Sequence, residues 1–415
     1  MRRLALALVL LGCTSRAACP PGDLTLPSSG TPAFAVRRSD NLSASAIALL
    51  DAHGTILEAD FIDSGTRAAN LVTTLAGDLA LPSSPLGPRT IGWIGRFEVD
   101  VLTFVHDGVT TEVDLRGETL TTPHGFTANP QDALLLSDQP TILVTRQMPN
   151  DDPSAPDLQR GNDVVVVANG QITRRIALGA DAPIPDCRTD CTALARPAAL
   201  LELTAGDARA VVVVLSRLNA SYTDGVVGAV VTIDPATWQV SAPIELEPYR
   251  DCLYARVDPT NASRAYVLCE GPTFTTEDVR LPQSGIVELV LLPDGTLAVT
   301  DSFMPSPGDP APYNGLVALG DGRVLYVAAG NLDAGIADRL VDLDMHTGTL
   351  RVVYGASTAF VLGDGTALAG TALVPDAARN AILRFHVGTD VVLEDVVAFD
   401  DCIDLPPRQI APLSF

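Results

Sequence analysis

The fold is decided by the stretch Arg323-Val-Leu-Tyr-Val-Ala-Ala-Gly330, followed after a polar break by Arg339-Leu-Val-Asp-Leu-Asp344, the turn Met345-His-Thr-Gly348 and Thr349-Leu-Arg-Val-Val-Tyr354. Three apolar β-runs are thus joined by one break and one tight turn. Related runs recur at residues 209–240 and 264–297. Repeats of this size that contain only strands are typical of radial β-architectures.

The same pattern continues without a linker from about residue 33 to about residue 403. It divides into seven units of roughly 50 residues, a length typical of propeller blades. We therefore predict an all-β fold, a propeller of seven four-stranded blades closed between the N- and C-termini, with six or eight blades as alternatives. The predicted domain spans residues 33–415, after a signal peptide at 1–12 and a tether at 13–32.

Short motifs mark the turns inside the predicted blades. Asn-Gly and Asp-Gly pairs supply the positive φ angles that two-residue hairpins require. They occur at Asn169-Gly170, Asp294-Gly295, Asp321-Gly322 and Asp364-Gly365. In the last blade we predict strands around Phe360-Val-Leu362, Ala381-Ile-Leu-Arg-Phe385 and Val391-Val-Leu393.

Two strands carry Tyr-Val, at Tyr266-Val267 and Tyr326-Val327, and later strands run into Asp234-Pro-Ala-Thr-Trp238 and Asp344-Met-His-Thr-Gly348. At these residues the chain resembles the YVTN-type and related WD40-like bacterial propellers, most clearly over about residues 195–357. The resemblance implies a propeller fold. It does not imply a particular reaction, because such repeats host many functions.

The N-terminus has the features of an export signal. Two arginines precede the apolar run Leu4–Gly12, which is too short to span a bilayer. Leu10-Leu11-Gly12-Cys13 resembles the lipobox of bacterial lipoproteins, which implies cleavage before Cys13 and its lipidation. Thr14 stands where an aspartate commonly retains lipoproteins at the inner membrane, which favours the outer membrane. The alternative is an ordinary secretory peptide cleaved after Ala17-Ala18.

The other six cysteines predict three disulfides in an exported protein. If Val257 faces Arg264 in a hairpin, Cys252 lies opposite Cys269. Cys187 and Cys191 can close a local loop, which leaves Cys19 and Cys402 to join the two ends of the chain. A metal site at Cys187 and Cys191 is the rival interpretation, but no histidine or further cysteine lies nearby in sequence to complete four zinc ligands.

Charge excludes some functions. The chain has 50 acidic residues against 27 arginines, no lysine and a net charge of −23. Without a basic stripe it is not expected to bind nucleic acid. Anionic lipid head groups would repel it, so membrane attachment is predicted through the lipid anchor alone.

Propellers that resemble this chain bind ligands where the loops before the innermost strands crowd around the central channel. Those loops are predicted at residues 122–125, 195–197, 249–251 and 312–315. The candidate ligand-binding residues are His124, Arg196, Arg250, Asp251, Tyr313 and Asn314. Pro123-His124-Gly125 resembles a loop that some propeller lactonases place beside the channel. The alternative is that each side chain caps the backbone of a neighbouring blade.

The loop from Asn150 to Asp163 is rich in carboxylates, which suit calcium, but it lacks the alternating spacing of a calcium loop and is predicted to be a solvated surface loop. No hydrolase elbow, phosphate-binding Gly-Lys motif, zinc-protease motif or haem motif occurs. We therefore nominate no catalytic residue and no metal ligand.

The leading hypothesis is a non-catalytic binding or scaffold lipoprotein of the bacterial envelope, monomeric, with an envelope protein or a small molecule as partner and no cofactor. The alternative is a lactonase-like propeller hydrolase or lyase that uses His124 at the channel mouth, with a divalent metal as its cofactor.

Overall fold

The computed structural model describes residues 22–68, 71–97, 99–117, 126–185, 187, 190–272 and 275–415. The strands in chain order are β1 (Phe34–Ser39), β2 (Ser45–Leu50), β3 (Ile56–Asp63), β4 (Leu79–Ala80), β5 (Thr90–Gly95), β6 (Val101–His106), β7 (Val109–Asp114), β8 (Pro130–Leu135), β9 (Ile142–Pro149), β10 (Gly161–Ala168), β11 (Gln171–Ala177), β12 (Ala182–Pro183), β13 (Thr192–Ala193), β14 (Pro197–Ala205), β15 (Ala208–Leu215), β16 (Val227–Ile233), β17 (Ile244–Arg250), β18 (Cys252–Asp258), β19 (Asn261–Cys269), β20 (Gly285–Leu291), β21 (Leu297–Phe303), β22 (Pro312–Gly320), β23 (Arg323–Ala328), β24 (Arg339–Asp344), β25 (Thr349–Gly355), β26 (Thr366–Leu368), β27 (Thr371–Asp376), β28 (Ala381–Val387), β29 (Val391–Ala398) and β30 (Pro407–Pro412).

These strands form seven four-stranded antiparallel sheets, which are the blades of a propeller. From the innermost strand outwards the blades are β30-β1-β2-β3, β4-β5-β6-β7, β8-β9-β10-β11, β14-β15-β16-β17, β18-β19-β20-β21, β22-β23-β24-β25 and β26-β27-β28-β29. The predicted all-β fold with seven blades is confirmed. A small β12-β13 hairpin and the short helix α1 (Glu277–Arg280) lie between strands, with 3₁₀ turns at Asp157–Gln159 and Leu281–Gln283.

The core lies between the blades. Seven clusters of buried apolar side chains occur among the described residues, and each joins one blade to the next around the ring. Central strands are therefore covered on both faces, which explains uninterrupted runs such as Val164–Val167 and Val211–Val214, all of them buried. The cluster that contains Phe34, Ile410 and Ile382 joins the last blade to the first.

The ring closes because the last strand pairs with the first. Strand β30 is antiparallel to β1, with Phe34 opposite Pro412 and Val36 opposite Ile410, so blade one contains both ends of the propeller. The Gln409 side chain donates to the Leu81 carbonyl (3.1 Å) and accepts from the Leu81 N–H (2.9 Å), which ties β30 to blade two.

Blade seven differs from its prediction. Its innermost strand is β26, and Phe360–Leu362 is a loop with a single bridge between Leu362 and Asp376. The Asp364-Gly365 pair is likewise not a hairpin, because the tight turn of this blade lies at Ala369 and Gly370, where φ is 48° and 82°. Asn169-Gly170 and Asp321-Gly322 do form the predicted turns, with positive φ at all four residues.

Two of the predicted disulfides, Cys187–Cys191 and Cys252–Cys269, are present. The assumed register was wrong by one residue, because Val257 faces Ala265. A bulge at Leu253 restores the alignment and puts Cys252 opposite Cys269. Cys402 is disulfide-bonded. Its predicted partner Cys19, like Cys13, lies outside the described residues, so the Cys19–Cys402 bridge stays a prediction.

Arg38 fixes the segment that leads into β30. Its side chain is fully buried and forms a two-point ion pair with Asp401, with N···O distances of 2.6 and 3.1 Å. It also donates to the carbonyl oxygens of Ile403 (2.6 Å) and Leu405 (2.9 Å), and its guanidinium lies 4.2 Å from the ring centre of Phe399.

In the described part of the chain, no helix is long and apolar enough to cross a bilayer.

We expect Arg38→Leu to lower the free energy of unfolding by about 3–5 kcal/mol, because it removes the buried partner of an ion pair and the donor to the buried Ile403 carbonyl and the half-buried Leu405 carbonyl. Urea denaturation followed by circular dichroism measures the loss. Arg89→Leu is the control, since the Arg89–Asp107 pair is more than half exposed and should contribute little. Equal losses in the two variants would contradict the role assigned to Arg38.

Candidate binding site at the central channel

The innermost strands surround a central channel that holds a cavity of about 230 Å³, here called the channel cavity. Its wall contains residues from all seven blades. The polar and charged residues of the wall are Arg37, Ser83, Arg96, Gln131, Asp132, Tyr254, Arg256, Asn314, Asp364, Arg408 and Gln409. Because each blade contributes one face of the wall, residues far apart in sequence lie together here.

Four of these residues are arginines, in a chain whose net charge is −23. Arg37 donates to the Leu79 carbonyl and to Asn41 Oδ1, while its Nε has no hydrogen-bond partner among the described residues. Arg408 makes two long contacts of 3.4 Å, to the carbonyl oxygens of Ser39 and Phe360. Neither guanidinium has a carboxylate partner among the described ion pairs.

The positive charge of the channel cavity is reflected in the pKa of Arg37. Burial and the nearby charge of Arg96 lower this pKa to about 10, with a smaller effect from Arg408, while the charge of Asp78 opposes the shift. Burial also lowers the pKa of Arg408. A pKa of about 10 leaves Arg37 charged at neutral pH, so its positive charge persists in a partly enclosed space.

The other two arginines have carboxylate partners. Arg96 bonds to Asp78 (2.9 Å) and to Gln131 Oε1 (2.7 Å), and Arg256 bonds to Asp364 (2.5 Å). The Asp364 carboxylate also accepts the Leu316 N–H (3.2 Å), so it joins blades five, six and seven. Asp364 is therefore a channel residue, although Asp-Gly in the sequence indicates a turn.

Asp132 has a similar joining role on the opposite side of the channel. It is 4% exposed and accepts hydrogen bonds from the N–H groups of Ser83, Ala133 and Leu200 (2.9 Å each) and from the Ser83 hydroxyl (2.7 Å). These groups belong to blades two, three and four. Burial raises the pKa of Asp132, and the hydrogen bonds from Ser83 and Leu200 oppose that shift.

A second cavity of about 410 Å³, here called the mouth cavity, adjoins the first and shares Arg96, Gln131 and Leu253 with it. It lies at the end of the channel where the innermost strands begin. Asp78, Asn129 and Asp251 directly precede β4, β8 and β18, while Arg96, Ser216 and Glu270 directly follow β5, β15 and β19.

One side of the mouth cavity carries neutral hydrogen-bonding groups. Asn129 Nδ2 lies 3.2 Å from the Tyr222 hydroxyl and 3.4 Å from Gln147 Oε1, and Gln131 donates to Asn129 Oδ1 (2.9 Å). Tyr222 is held in place by Arg196, whose guanidinium lies 3.7 Å from the ring centre. These contacts fix the amide and phenol groups relative to one another.

The mouth cavity is also lined by three carboxyl groups, of Asp78, Asp251 and Glu270, and the last two residues are each 5% exposed. The Glu270 N–H donates to the Asp251 carbonyl (3.0 Å), and the two residues flank the Cys252–Cys269 disulfide in sequence. Burial raises the pKa of Glu270 well above its usual range, and the charge of Asp251 raises it further, whereas Arg280 lowers it. The described residues contain no group of three or more His, Cys, Asp or Glu arranged to hold a metal ion.

The five described members of the predicted ligand-binding set do not all lie in one cavity. Asn314 lies in the channel cavity, accepts from the Tyr254 hydroxyl (2.7 Å) and donates to the Leu362 carbonyl (3.0 Å), and Asp251 lies in the mouth cavity. Arg250 lines a neighbouring cavity of about 280 Å³ and bonds to the Gly225 carbonyl. Tyr313 packs edge-on against Phe360.

Arg196 is buried in the wall and donates to the carbonyl oxygens of Asn219 (2.8 Å) and Ala220 (2.9 Å), which is the capping role stated as the alternative. His124 lies outside the described residues. Sequence reasoning missed Arg37, Arg96, Arg256, Arg408 and Glu270. The sequence could have indicated Arg96 and Glu270, because each directly follows a strand that is the second of its blade and therefore ends near the mouth of the channel.

No family model matches the chain, and no curated protein matches it. Among solved structures, it is similar to a protein from Bacteroides fragilis provisionally assigned as a 6-phosphogluconolactonase (TM-score 0.55, 10% identity, covering 94% of this chain and 99% of that one). It is also similar to a protein with the same provisional assignment from Bacteroides uniformis (0.53, 12%, 92% and 98%) and to hydrazine synthase of Kuenenia stuttgartiensis (0.53, 12%, 88% and 98%). At these identities the similarity shows the propeller fold alone.

We expect Asp132→Asn to lower the free energy of unfolding by about 1–3 kcal/mol, because an amide has one acceptor oxygen and its NH₂ group would face buried donors. Thermal and urea denaturation measure the effect. Asp207→Asn is the matched control in an exposed turn and should behave like the wild-type protein. If Asp132→Asn is as stable as this control, the carboxylate does not join the three blades as described.

Proposed function

We propose that this protein is an exported, lipid-anchored binding protein whose central channel takes up a small anion. The observation that carries the proposal is the cluster of four arginines, Arg37, Arg96, Arg256 and Arg408, around one partly enclosed cavity. Only two carboxylates, Asp132 and Asp364, line the same cavity. A carboxylate or phosphate group would neutralise the excess positive charge.

The arrangement suits binding because its parts are fixed before a ligand arrives. Arg96 and Arg256 are oriented by Asp78 and Asp364, so binding would not cost the ordering of these long side chains. Arg37 and Arg408 have backbone partners but no carboxylate partner among the described ion pairs. They are the positions where a ligand's negative charge would gain most.

The carboxylates of the channel cavity favour binding over catalysis. The four hydrogen bonds accepted by Asp132 come from the protein itself, and Asp364 is occupied by Arg256 and the Leu316 N–H. Both carboxylates are thus engaged within the protein, whereas a general base has to be within hydrogen-bond reach of the proton that it removes.

A lactonase-like hydrolase or lyase is the second candidate, and the buried Glu270 favours it. A carboxyl group kept neutral by burial is suited to general acid catalysis. This candidate would use His124, with or without a divalent metal. Release of acid from small lactones or esters, abolished by His124→Ala, would support it, and native mass spectrometry of the purified protein would detect a bound metal.

The proposed location is the outer membrane of a bacterial envelope, with the anchor on Cys13. We expect Cys13→Ser to move the protein from the membrane fraction to the soluble fraction, since the acyl chains would supply the attachment. Fractionation with immunoblotting measures this, and Thr14→Asp is the companion variant, expected to stay membrane-bound. A wild-type protein found in the soluble fraction would contradict the anchor.

We expect Arg408→Gln to weaken the binding of inorganic phosphate or succinate at least about tenfold, or about 1.4 kcal/mol, because it removes a cation that has no carboxylate partner among the described ion pairs. Isothermal titration calorimetry at low and high salt measures the affinity, which should fall as salt rises. Arg174→Gln, on the exposed strand β11, is the control and should bind like the wild-type protein. Equal affinity in both variants, or no binding by the wild-type protein, would contradict the anion site.

A further inference from the structure

The two cavities differ in charge. The channel cavity is lined by four arginines and two aspartates, whereas the mouth cavity is lined by the carboxyl groups of Asp78, Asp251 and Glu270 and by one arginine, Arg96. They share Arg96, Gln131 and Leu253, so they are neighbouring cavities. A small molecule that spans both would place one end among the arginines and the other beside the carboxyl groups.

Glu270 is the residue in the mouth cavity whose chemistry is unexplained by the fold. It is 5% exposed, and its carboxyl group makes no hydrogen bond or ion pair with any described residue. Its oxygens are not among the described side-chain atoms that are fully enclosed without a partner, so they are open to the cavity, where the donor group of a ligand can reach them. Arg280 acts on the carboxyl group through its charge, while its hydrogen bond goes to the backbone carbonyl of Glu270 at 3.4 Å.

We propose that the ligand is a small zwitterion whose carboxylate or phosphate binds the channel arginines and whose primary ammonium group binds Glu270 in the mouth cavity. This inference rests on the proposed anion site. It assigns the chemical class of the ligand and the residue that selects it.

A primary ammonium group matches the surroundings of Glu270. It has three N–H donors and no acceptor, and the Glu270 carboxylate that lines the mouth cavity is an acceptor of opposite charge. Calcium fits less well, because it takes six to eight oxygen ligands, commonly from several carboxylates. The described residues supply no group of three such side chains.

The inference also predicts a change in protonation. In the free protein, burial and the charge of Asp251 raise the pKa of Glu270, which favours its neutral form, and Arg280 opposes this. An arriving ammonium group would stabilise the ionised form, so the Glu270 proton would be released on binding. At a pH above the raised pKa, Glu270 is already ionised, and the release should vanish while the affinity rises.

The test uses the full-length protein and matched pairs of probes. Glycine, β-alanine, 4-aminobutyrate and 6-aminohexanoate carry both charges, and acetate, propionate, butyrate and hexanoate carry the carboxylate alone. Isothermal titration calorimetry in two buffers of different ionisation enthalpy gives both the affinity and the number of protons released.

We expect at least one amino carboxylate to bind about tenfold or more tightly than its plain counterpart, with release of up to one proton. Glu270→Gln should remove both the advantage and the proton release, and leave plain carboxylates unaffected. Glu277→Gln, an exposed change of the same kind on α1, should alter neither.

The outcomes separate the two proposals. If plain and amino carboxylates bind equally and Glu270→Gln changes nothing, the zwitterion is wrong and the anion site stands. If neither set binds, the anion site is wrong as well. Calcium binding that Glu270→Gln abolishes, without any preference for amino carboxylates, would overturn the assignment of Glu270 to an ammonium group.

Discussion

Pairing of the last strand with the first is the constraint on which the rest of this structure depends. Until β30 lies beside β1, blade one lacks its innermost strand and the apolar cluster between blades seven and one lacks Ile410. The channel also lacks Arg408 and Gln409, which β30 carries. Pairing of β30 with β1 therefore completes both the packing of blade one and the wall of the channel. Arg38 positions the segment that leads into β30.

Aspartates hold the blades to one another near the axis. Asp132 joins blades two, three and four, and Asp364 joins blades five, six and seven. Asp338 accepts the N–H groups of Phe360, Val361 and Leu362 in the link between blades six and seven. Part of the acidity of this chain thus satisfies backbone donors inside the ring, which net charge alone would not suggest.

The repeat of apolar runs and tight turns was enough to predict seven blades, because each blade is a local hairpin series with its own pattern. The channel could not be predicted in the same way. Arg37 and Arg408 are neighbours only after the ring closes, and no local pattern distinguishes them from surface arginines. Asp364-Gly365 indicated a turn because the sequence signal reports backbone preference and not the direction of a side chain.

The Cys252–Cys269 bridge has a consequence for the mouth cavity. The bridge joins the ends of two strands, and the next residue on each is a carboxylic acid, Asp251 or Glu270. The covalent bond between the adjacent cysteines keeps the two carboxyl groups near each other. Their repulsion is therefore relieved by protonation of Glu270 or by a nearby cation such as Arg280, and not by separation of the two strands.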